Sequence, residues 1–353
     1  MDNKKNAPKV SAVLVNWNGP DVTAECMESL RKSDYPNLEV VAVDNASTDG
    51  SADKLEKLFP EMTVLRSKIN RGWGGGTNVG LKYAMENGSD YIWLLNNDLV
   101  VEPDSLSKLV AAAEKTDEAV LVSPILYFYA TRDKIQHCGS EFDWKNYVVR
   151  NISDLDEIAS INEKDFWTWC TAVLMKREVV ERTGYFDEKY FIYFDDLDYS
   201  ARALSAGCRH KLETSAKVYH RSHSADTGGV RSHPLHYFYY QTRNEYWFWR
   251  ERAKGLKRFV FFRMYLARLI RMLAYYQREG WDDIIEASLA GLYCGLRNIG
   301  GHWDKNIKMP RRWKNLIMNR PYFWVRLCEV NAGKVKDALL GRKKTFSASE
   351  AER

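Results

Sequence analysis

Between Val10 and Val122 the chain repeats one pattern: short apolar runs separated by amphipathic stretches. The runs are Val10 to Val15, Glu39 to Val43, Met62 to Leu65, Tyr91 to Leu95 and Ala119 to Val122; the stretches are Asp21 to Lys32, Ser51 to Phe59, Thr77 to Asn87 and Pro103 to Lys115. Runs of four to six apolar residues are too short for helices and suit strands buried on both faces, while the intervening stretches carry helical periodicity. Strand and helix in strict alternation predict an α/β fold, a mostly parallel Rossmann-like sheet flanked by helices. In such sheets ligands bind beyond the carboxyl ends of the strands. That singles out Asn16 to Gly19, Asp44 to Gly50, and Asn96 to Asp98.

Residues 131–165 are mixed and polar and read as a hairpin or loop excursion. Phe166 to Met175 resumes a strand pattern, and Asp195 to Ala206 reads as a helix. From Pro234 the texture changes to long helical segments rich in aromatics and Arg. The expected division is a catalytic-type α/β domain over 1–230, a basic helical region over 231–345 and a polar tail over 346–353. Charge divides the same way: residues 1–230 hold 27 Lys+Arg against 36 Asp+Glu, and residues 231–345 hold 24 against 9. A basic half of that kind meets something anionic. No base-reading motif accompanies it, so nucleic acid is not the expected partner. No apolar run reaches the length of a membrane span, and the six cysteines lie far apart with no CxxC pair. Reduced thiols and a cytoplasmic protein are expected.

Within the α/β part, polar groups at neighbouring strand ends could share one pocket, with Asp44 accepting from a base imide and Asn16 and Asn45 beside it. Asn, Asp, Ser and Gly also dominate ordinary turns, and the residues alone leave both readings open. Asn70 to Asn78 forms a Gly-rich segment opening a helix, a setting that suits a diphosphate, with Asn70, Gly72 and Asn78 as candidate contacts. It is not a dinucleotide fingerprint, because the required glycine spacing fails at Thr77, and it is not a Walker loop either. Asn96-Asn97-Asp98 ends an apolar strand, where a carboxylate could hold a hard cation. Phe194-Asp195-Asp196-Leu197-Asp198 places carboxylates at a helix start after aromatics, so that either a raised-pKa base or simple dipole complementation is at hand. Asp195 and Asp198 can cap the helix or pair with Arg202, leaving Asp196 as the candidate base. His220 ends a short strand, with His223, His233 and His236 as rivals.

Taken in order, Val-Asn-Trp-Asn-Gly, Val-Asp-Asn-Ala-Ser-Thr-Asp-Gly-Ser, Asn-Arg-Gly-Trp-Gly-Gly-Gly-Thr-Asn-Val-Gly, Leu-Leu-Asn-Asn-Asp and Gly-Tyr-Phe-Asp-Glu followed by Phe-Asp-Asp-Leu-Asp-Tyr-Ser-Ala-Arg resemble family 2 glycosyltransferases of the GT-A fold, over about residues 10–225. The rhamnosyltransferase-like branch is most similar. The resemblance implies an inverting transfer from a nucleotide-diphosphate sugar, dTDP-rhamnose by branch and a UDP-linked galactofuranose or other hexose as the alternative. The acceptor it implies is a glycan or polyprenyl-diphosphate-linked glycan of the cell surface. It implies donor contacts at Asp44, Asn97 and Asp98, a divalent metal (Mg2+ or Mn2+) at Asp98, and Asp196 as base. In the similar galactofuranosyltransferases a histidine two dozen residues after the base binds the metal, and His220 lies 24 after Asp196. Asn96 and Asn97 replace carboxylates of many relatives, and Cys170-Thr171-Ala172 departs from their Gly-Ala. On the acceptor side Trp167 and Trp169 are candidates to stack on a sugar, with Asp195 beside them. A non-catalytic sugar-nucleotide binder on the same fold is the alternative of a different class, and it has no need of a base.

The basic region suggests one further partner. Phe259, Phe262, Leu266, Leu269, Ile270 and Leu273 recur at three-four spacing with Lys257, Arg268 and Arg271 opposite. Such a stripe either packs in a core or lies on an anionic membrane, here the inner face of the plasma membrane.

Overall fold

The computed structural model describes residues 7–221 and 229–318. The chain separates into two compact units, Met1–His233 with Gly300–His302, and Pro234–Ile299 with Trp303–Arg353. His223 and the tail over 346–353 lie outside the described residues.

The first unit is built on strands β1 (Val10–Asn16), β2 (Leu38–Asp44), β3 (Thr63–Arg66), β4 (Tyr91–Asn96), β5 (Leu99–Val101), β6 (Val120–Phe128), β7 (Ile135–His137), β11 (Ala172–Lys176) and β12 (Arg209–His220). They form one mixed sheet in the order 3-2-1-4-11-6-12-5, with β7 added to β6. Its helices are α1 (Pro20–Arg31), α2 (Ser51–Leu58), α3 (Gly72–Glu86), α4 (Ser105–Ala113), α6 (Arg177–Thr183) and α7 (Asp195–Ser205). Residues 131–165 hold β7 together with β8 (Gly139–Asp143), β9 (Val148–Ile152) and the one-turn α5 (Leu155–Ile158). β8 and β9 pair antiparallel and, with β10 (Phe166–Trp167), make a small second sheet.

The core explains why the apolar runs are continuous rather than alternating. In β4, Tyr91, Trp93 and Leu95 join one cluster with Met27, Leu30, Leu106 and Leu109 from α1 and α4. Ile92 and Leu94 point the other way, onto Leu81 of α3, Val179 and Val180 of α6 and Tyr199 of α7. A strand covered on both faces needs apolar residues at every position.

β1, β2 and β4 are parallel, and from β1 the chain order runs one way to β2 and the other to β4. That reversal opens a crevice at the carboxyl ends of β1 and β4. Two expectations change here. Phe166 to Met175 is two strands in two sheets, and the helix expected from Thr77 begins at Gly72, within the Gly-rich segment.

The second unit contains α8 (Leu235–Arg252), α9 (Leu256–Arg278), α10 (Asp282–Arg297) and α11 (Arg311–Met318). Its core is aromatic: Tyr239, Trp247, Phe248, Trp249, Phe261 and Tyr265 are buried. The guanidinium of buried Arg243 lies over Tyr239, Tyr240 and Trp247, whose ring faces attract the charge. Leu269, Ile270 and Leu273 are buried within this unit and Arg268 pairs with Glu245 at 2.8 Å. The C-terminal half of the α9 stripe therefore serves this core rather than a membrane. No described helix is long and apolar enough to cross a bilayer.

Candidate active site

Parallel pairing sets Asn16 beside Asp44 at the ends of β1 and β2. Both are buried. Asn16 Nδ2 donates to Asp44 Oδ1 at 3.0 Å and to Ser47 Oγ at 3.1 Å, and the Ser47 backbone N–H donates to Asp44 Oδ2 at 3.1 Å. Both carboxylate oxygens are thus oriented, with lone pairs to spare. The network runs on to a third strand end. Thr23 Oγ1 donates to Asn16 Oδ1 at 2.7 Å and accepts from Asn97 Nδ2 at 2.9 Å. Directly after Asn16, Trp17 stands 56% exposed, a large aromatic surface at the crevice that the motif reading passed over.

Asn45, the residue after β2, is spent on the Gly-rich segment. Its Nδ2 donates to Gly72 O at 2.9 Å and Asn70 Oδ1 at 3.1 Å, and its Oδ1 accepts from Arg71 N at 3.1 Å. Asn70 Oδ1 also accepts from Gly72 N at 2.8 Å. Asn78 makes a two-way clasp on Phe186, donating to its carbonyl at 3.0 Å and accepting from its N–H at 2.8 Å. Buried Asn45 and Asn78 therefore act as struts, and their amides are taken up by the protein. Removing the clasp leaves two buried backbone groups unpaired, at about 1–3 kcal/mol each. Asn78→Ala is accordingly expected to lower the melting temperature, measured by thermal unfolding; an unchanged melting temperature would deny the clasp any structural role.

The approach to α7 is strained. Phe191, Tyr193 and Phe194 have φ of 67°, 62° and 65°, a region that bulky residues avoid at a cost of order 1–3 kcal/mol each. The surroundings hold them there: Trp73 N donates to Phe191 O at 2.7 Å, the Phe191 ring meets His302 edge-on at 5.1 Å, and Gly301 N donates to Lys189 O at 3.1 Å. Out of this run come Asp195 and Asp196. Asp195 is buried, with Oδ2 lacking a hydrogen-bond partner among the described residues and packed against Gly74 of α3. Asp196 is partly exposed, its Oδ1 accepting from Leu197 N at 2.8 Å. Burial pushes both carboxyls above the usual range, and the charge of Asp196 raises Asp195 further. Of the two, Asp196 is the one an acceptor can reach, since Asp195 is buried. Asp198 bonds Arg202 Nε at 2.8 Å, and that guanidinium ties the carbonyls of Thr183 and Tyr185.

Asp98 and His220 meet because β12 pairs antiparallel with β5, placing His220 on Leu99. His220 Nε2 lies 3.3 Å from Asp98 Oδ1, without the alignment of a hydrogen bond. On the other side, Nδ1 lies 2.8 Å from Gln136 Oε1 and donates to it. Nε2 thus faces a carboxylate oxygen that has no hydrogen-bond partner among the described residues, an arrangement that a cation between the two would complete. The donor set, one carboxylate and one imidazole, suits a divalent metal. Among the described residues no third His, Cys, Asp or Glu joins them, so ligand oxygens would have to complete the coordination.

The stacking expectation is corrected at Trp167, which is fully buried and stacked on Phe142 at 5.1 Å in the second sheet. Trp169 is partly buried, with one ring face covered by His137 at 4.0 Å.

Residues 11–184 match the family model described as glycosyl transferase family 2. A dTDP-rhamnosyl transferase of Shigella flexneri is 25% identical over 249 residues, covering 67% of this chain and 78% of that protein. An N-acetylglucosaminyl-diphospho-decaprenol L-rhamnosyltransferase of Mycobacterium tuberculosis is 23% identical over 208 residues, 53% of this chain and 68% of that protein. The solved structure of GalNAc-T7 with UDP, GalNAc and Mn2+ aligns with a TM-score of 0.52 at 15% identity, over 68% of this chain and 48% of that longer one. The chain is therefore a glycosyltransferase, and its residues 11–184 are a family 2 domain on the GT-A fold.

Proposed function

We propose that this enzyme inverts the anomeric centre while moving a sugar, rhamnose from dTDP-rhamnose, onto a glycan or polyprenyl-diphosphate-linked acceptor in cell-surface polysaccharide synthesis. One observation supports it above the others: a partly exposed carboxylate with a raised pKa sits in the same unit as a facing Asp98–His220 pair and an oriented Asp44. A binding protein has no use for the first of these. Asp44 accepts from the base imide with its remaining lone pairs, and Trp17 offers the base a stacking face. Asp98 and His220 would hold a divalent cation, which would supply positive charge to offset that of the diphosphate leaving group. Asp196 takes the proton of the acceptor hydroxyl as that oxygen attacks the anomeric carbon from the face opposite the diphosphate; the glycosyl–phosphate bond breaks and the nucleoside diphosphate departs. The names of the Shigella and Mycobacterium relatives favour rhamnose, and the UDP-bound neighbour keeps UDP-hexoses as the second choice.

Purified enzyme assayed for donor hydrolysis against a panel of nucleotide sugars, with and without Mn2+ or Mg2+, tests this directly. Turnover is expected to be highest with dTDP-rhamnose. Asp98→Ala and His220→Ala should each weaken metal-dependent donor binding by at least about tenfold. Full activity after exhaustive chelation removes the metal and returns His220 to a structural part.

A further inference from the structure

Within the helical unit two stretches of surface remain whose composition the core does not explain. At the start of α9, Leu256 is 63% and Phe259 57% exposed, with exposed Lys254, Lys257 and Arg258 around them. The second is α11, which buries none of its eight residues. There Trp313 and Leu316, three apart and so on one helical face, are 49% and 51% exposed next to exposed Arg311 and Arg312. α11 is not adrift, since Lys314 pairs with Glu286 of α10 and the helix packs beside α9.

Exposed large apolar side chains ringed by cations have one common explanation in water-soluble proteins: the apolar groups enter the boundary of a lipid leaflet while the cations meet its anionic headgroups. Tryptophan favours that boundary, its ring being apolar and its N–H polar. Charge complementarity separates this occupant from a protein partner. The region 231–345 carries 24 Lys+Arg against 9 Asp+Glu, and exposed Lys254, Lys257, Arg258, Arg311 and Arg312 adjoin these four apolar residues along the chain. We infer that the helical unit docks on an anionic phospholipid surface through the N-terminal end of α9, by Leu256 and Phe259, and through α11, by Trp313 and Leu316. The docking is independent of the donor chemistry, and it complements the proposed lipid-linked acceptor without requiring it.

The full-length enzyme should be sedimented with phosphatidylglycerol-containing vesicles and with pure phosphatidylcholine vesicles, at low and high salt. Binding to the anionic vesicles is expected to exceed binding to the neutral ones at least about tenfold, and to fall as salt shortens the screening length from about 10 Å at 0.1 M. Phe259→Glu with Trp313→Glu should cut anionic binding by at least about tenfold, because each puts a charge where an apolar group inserts. Donor hydrolysis and melting temperature should stay unchanged. Brominated lipids should quench the wild-type fluorescence more than that of Trp313→Phe, a readout free of folding defects. Equal, negligible binding to both vesicles overturns the inference, as does a double variant that binds like wild type. A dimer that the double variant dissociates, with no vesicle binding, assigns the surface to a second copy and overturns it as well. Lost donor turnover with vesicle binding intact counts against the proposed function alone.

Discussion

Asp196→Asn is expected to leave donor binding near normal and cut turnover at least about a hundredfold, the usual contribution of a positioned base. Asparagine keeps the shape and the bond from Leu197 N, and removes only the capacity to take a proton. The raised pKa gives the wild type a second signature. Because the base works as an anion, the rate should fall as pH drops through a value above the ordinary carboxylate range, and asparagine should abolish that limb. Stability should move the opposite way. A folded-state carboxyl pKa above the unfolded value means the native state binds the proton more tightly, so stability declines as pH rises from the unfolded to the folded pKa. The cost of burying the charge is then fully present above the folded value. Asparagine lifts that cost, and the variant should melt at or above the wild-type temperature near neutral pH. Near wild-type transfer by Asp196→Asn would exclude it as the base, and Asp195→Asn would then be the variant to examine.

Gly72→Ala should be the most damaging single methyl in the first unit. At φ of 75° a Cβ there would come 1.9 Å from Phe191 O and 2.5 Å from its carbonyl carbon, both rigid backbone. Relief requires moving either the first turn of α3, with its ties to Asn45 and Asn70, or the strained run that delivers Asp195 and Asp196. The strain and the displaced contacts together are expected to cost roughly 2–4 kcal/mol, a fall of roughly 5–15 °C in melting temperature for a domain of this size. Turnover should drop with it, since the carboxylate pair cannot keep its place. Thermal unfolding and a donor-hydrolysis assay decide the matter: a variant that melts and turns over as wild type does would mean that the close approach is not a constraint.

How much of this was legible beforehand depends on whether local pattern or distant pairing decides a segment. The strands of the parallel core can be read because burial on both faces demands continuous apolar runs, and motif order points to Asp98 and His220, which the structure brings to 3.3 Å. Of β12 only the short run before His220 is visible in the sequence, since Arg209 to Glu213 is a mostly polar stretch held by pairing with β6. Helix α3 begins five residues before the Thr77 that its periodicity suggests. Its glycines are poor helix formers, but Gly76 and Gly80 lie so near β1 that a Cβ would come 2.7 Å from Val15 and 2.3 Å from Val13. Close packing overrode propensity there. Trp167 reads as a sugar platform from sequence alone because an aromatic residue in a short strand has no visible inside or outside until the second sheet is known. Nothing local announces the left-handed conformations of Phe191, Tyr193 and Phe194; only their neighbours impose them.

The pairing of β12 with β5 also fixes when a newly made chain can become competent. Asp98 and His220 stand roughly 120 positions apart, so at a synthesis rate of about 5–20 residues per second the ribosome delivers the second roughly 6–24 s after the first. Until then the edge where β12 belongs, beside β6 and β5, lacks its partner while β1, β2 and β4 can already associate. The nascent enzyme thus passes through an interval with the β1, β2 and β4 part of the sheet in place and an open sheet edge, the condition in which chaperone engagement matters most.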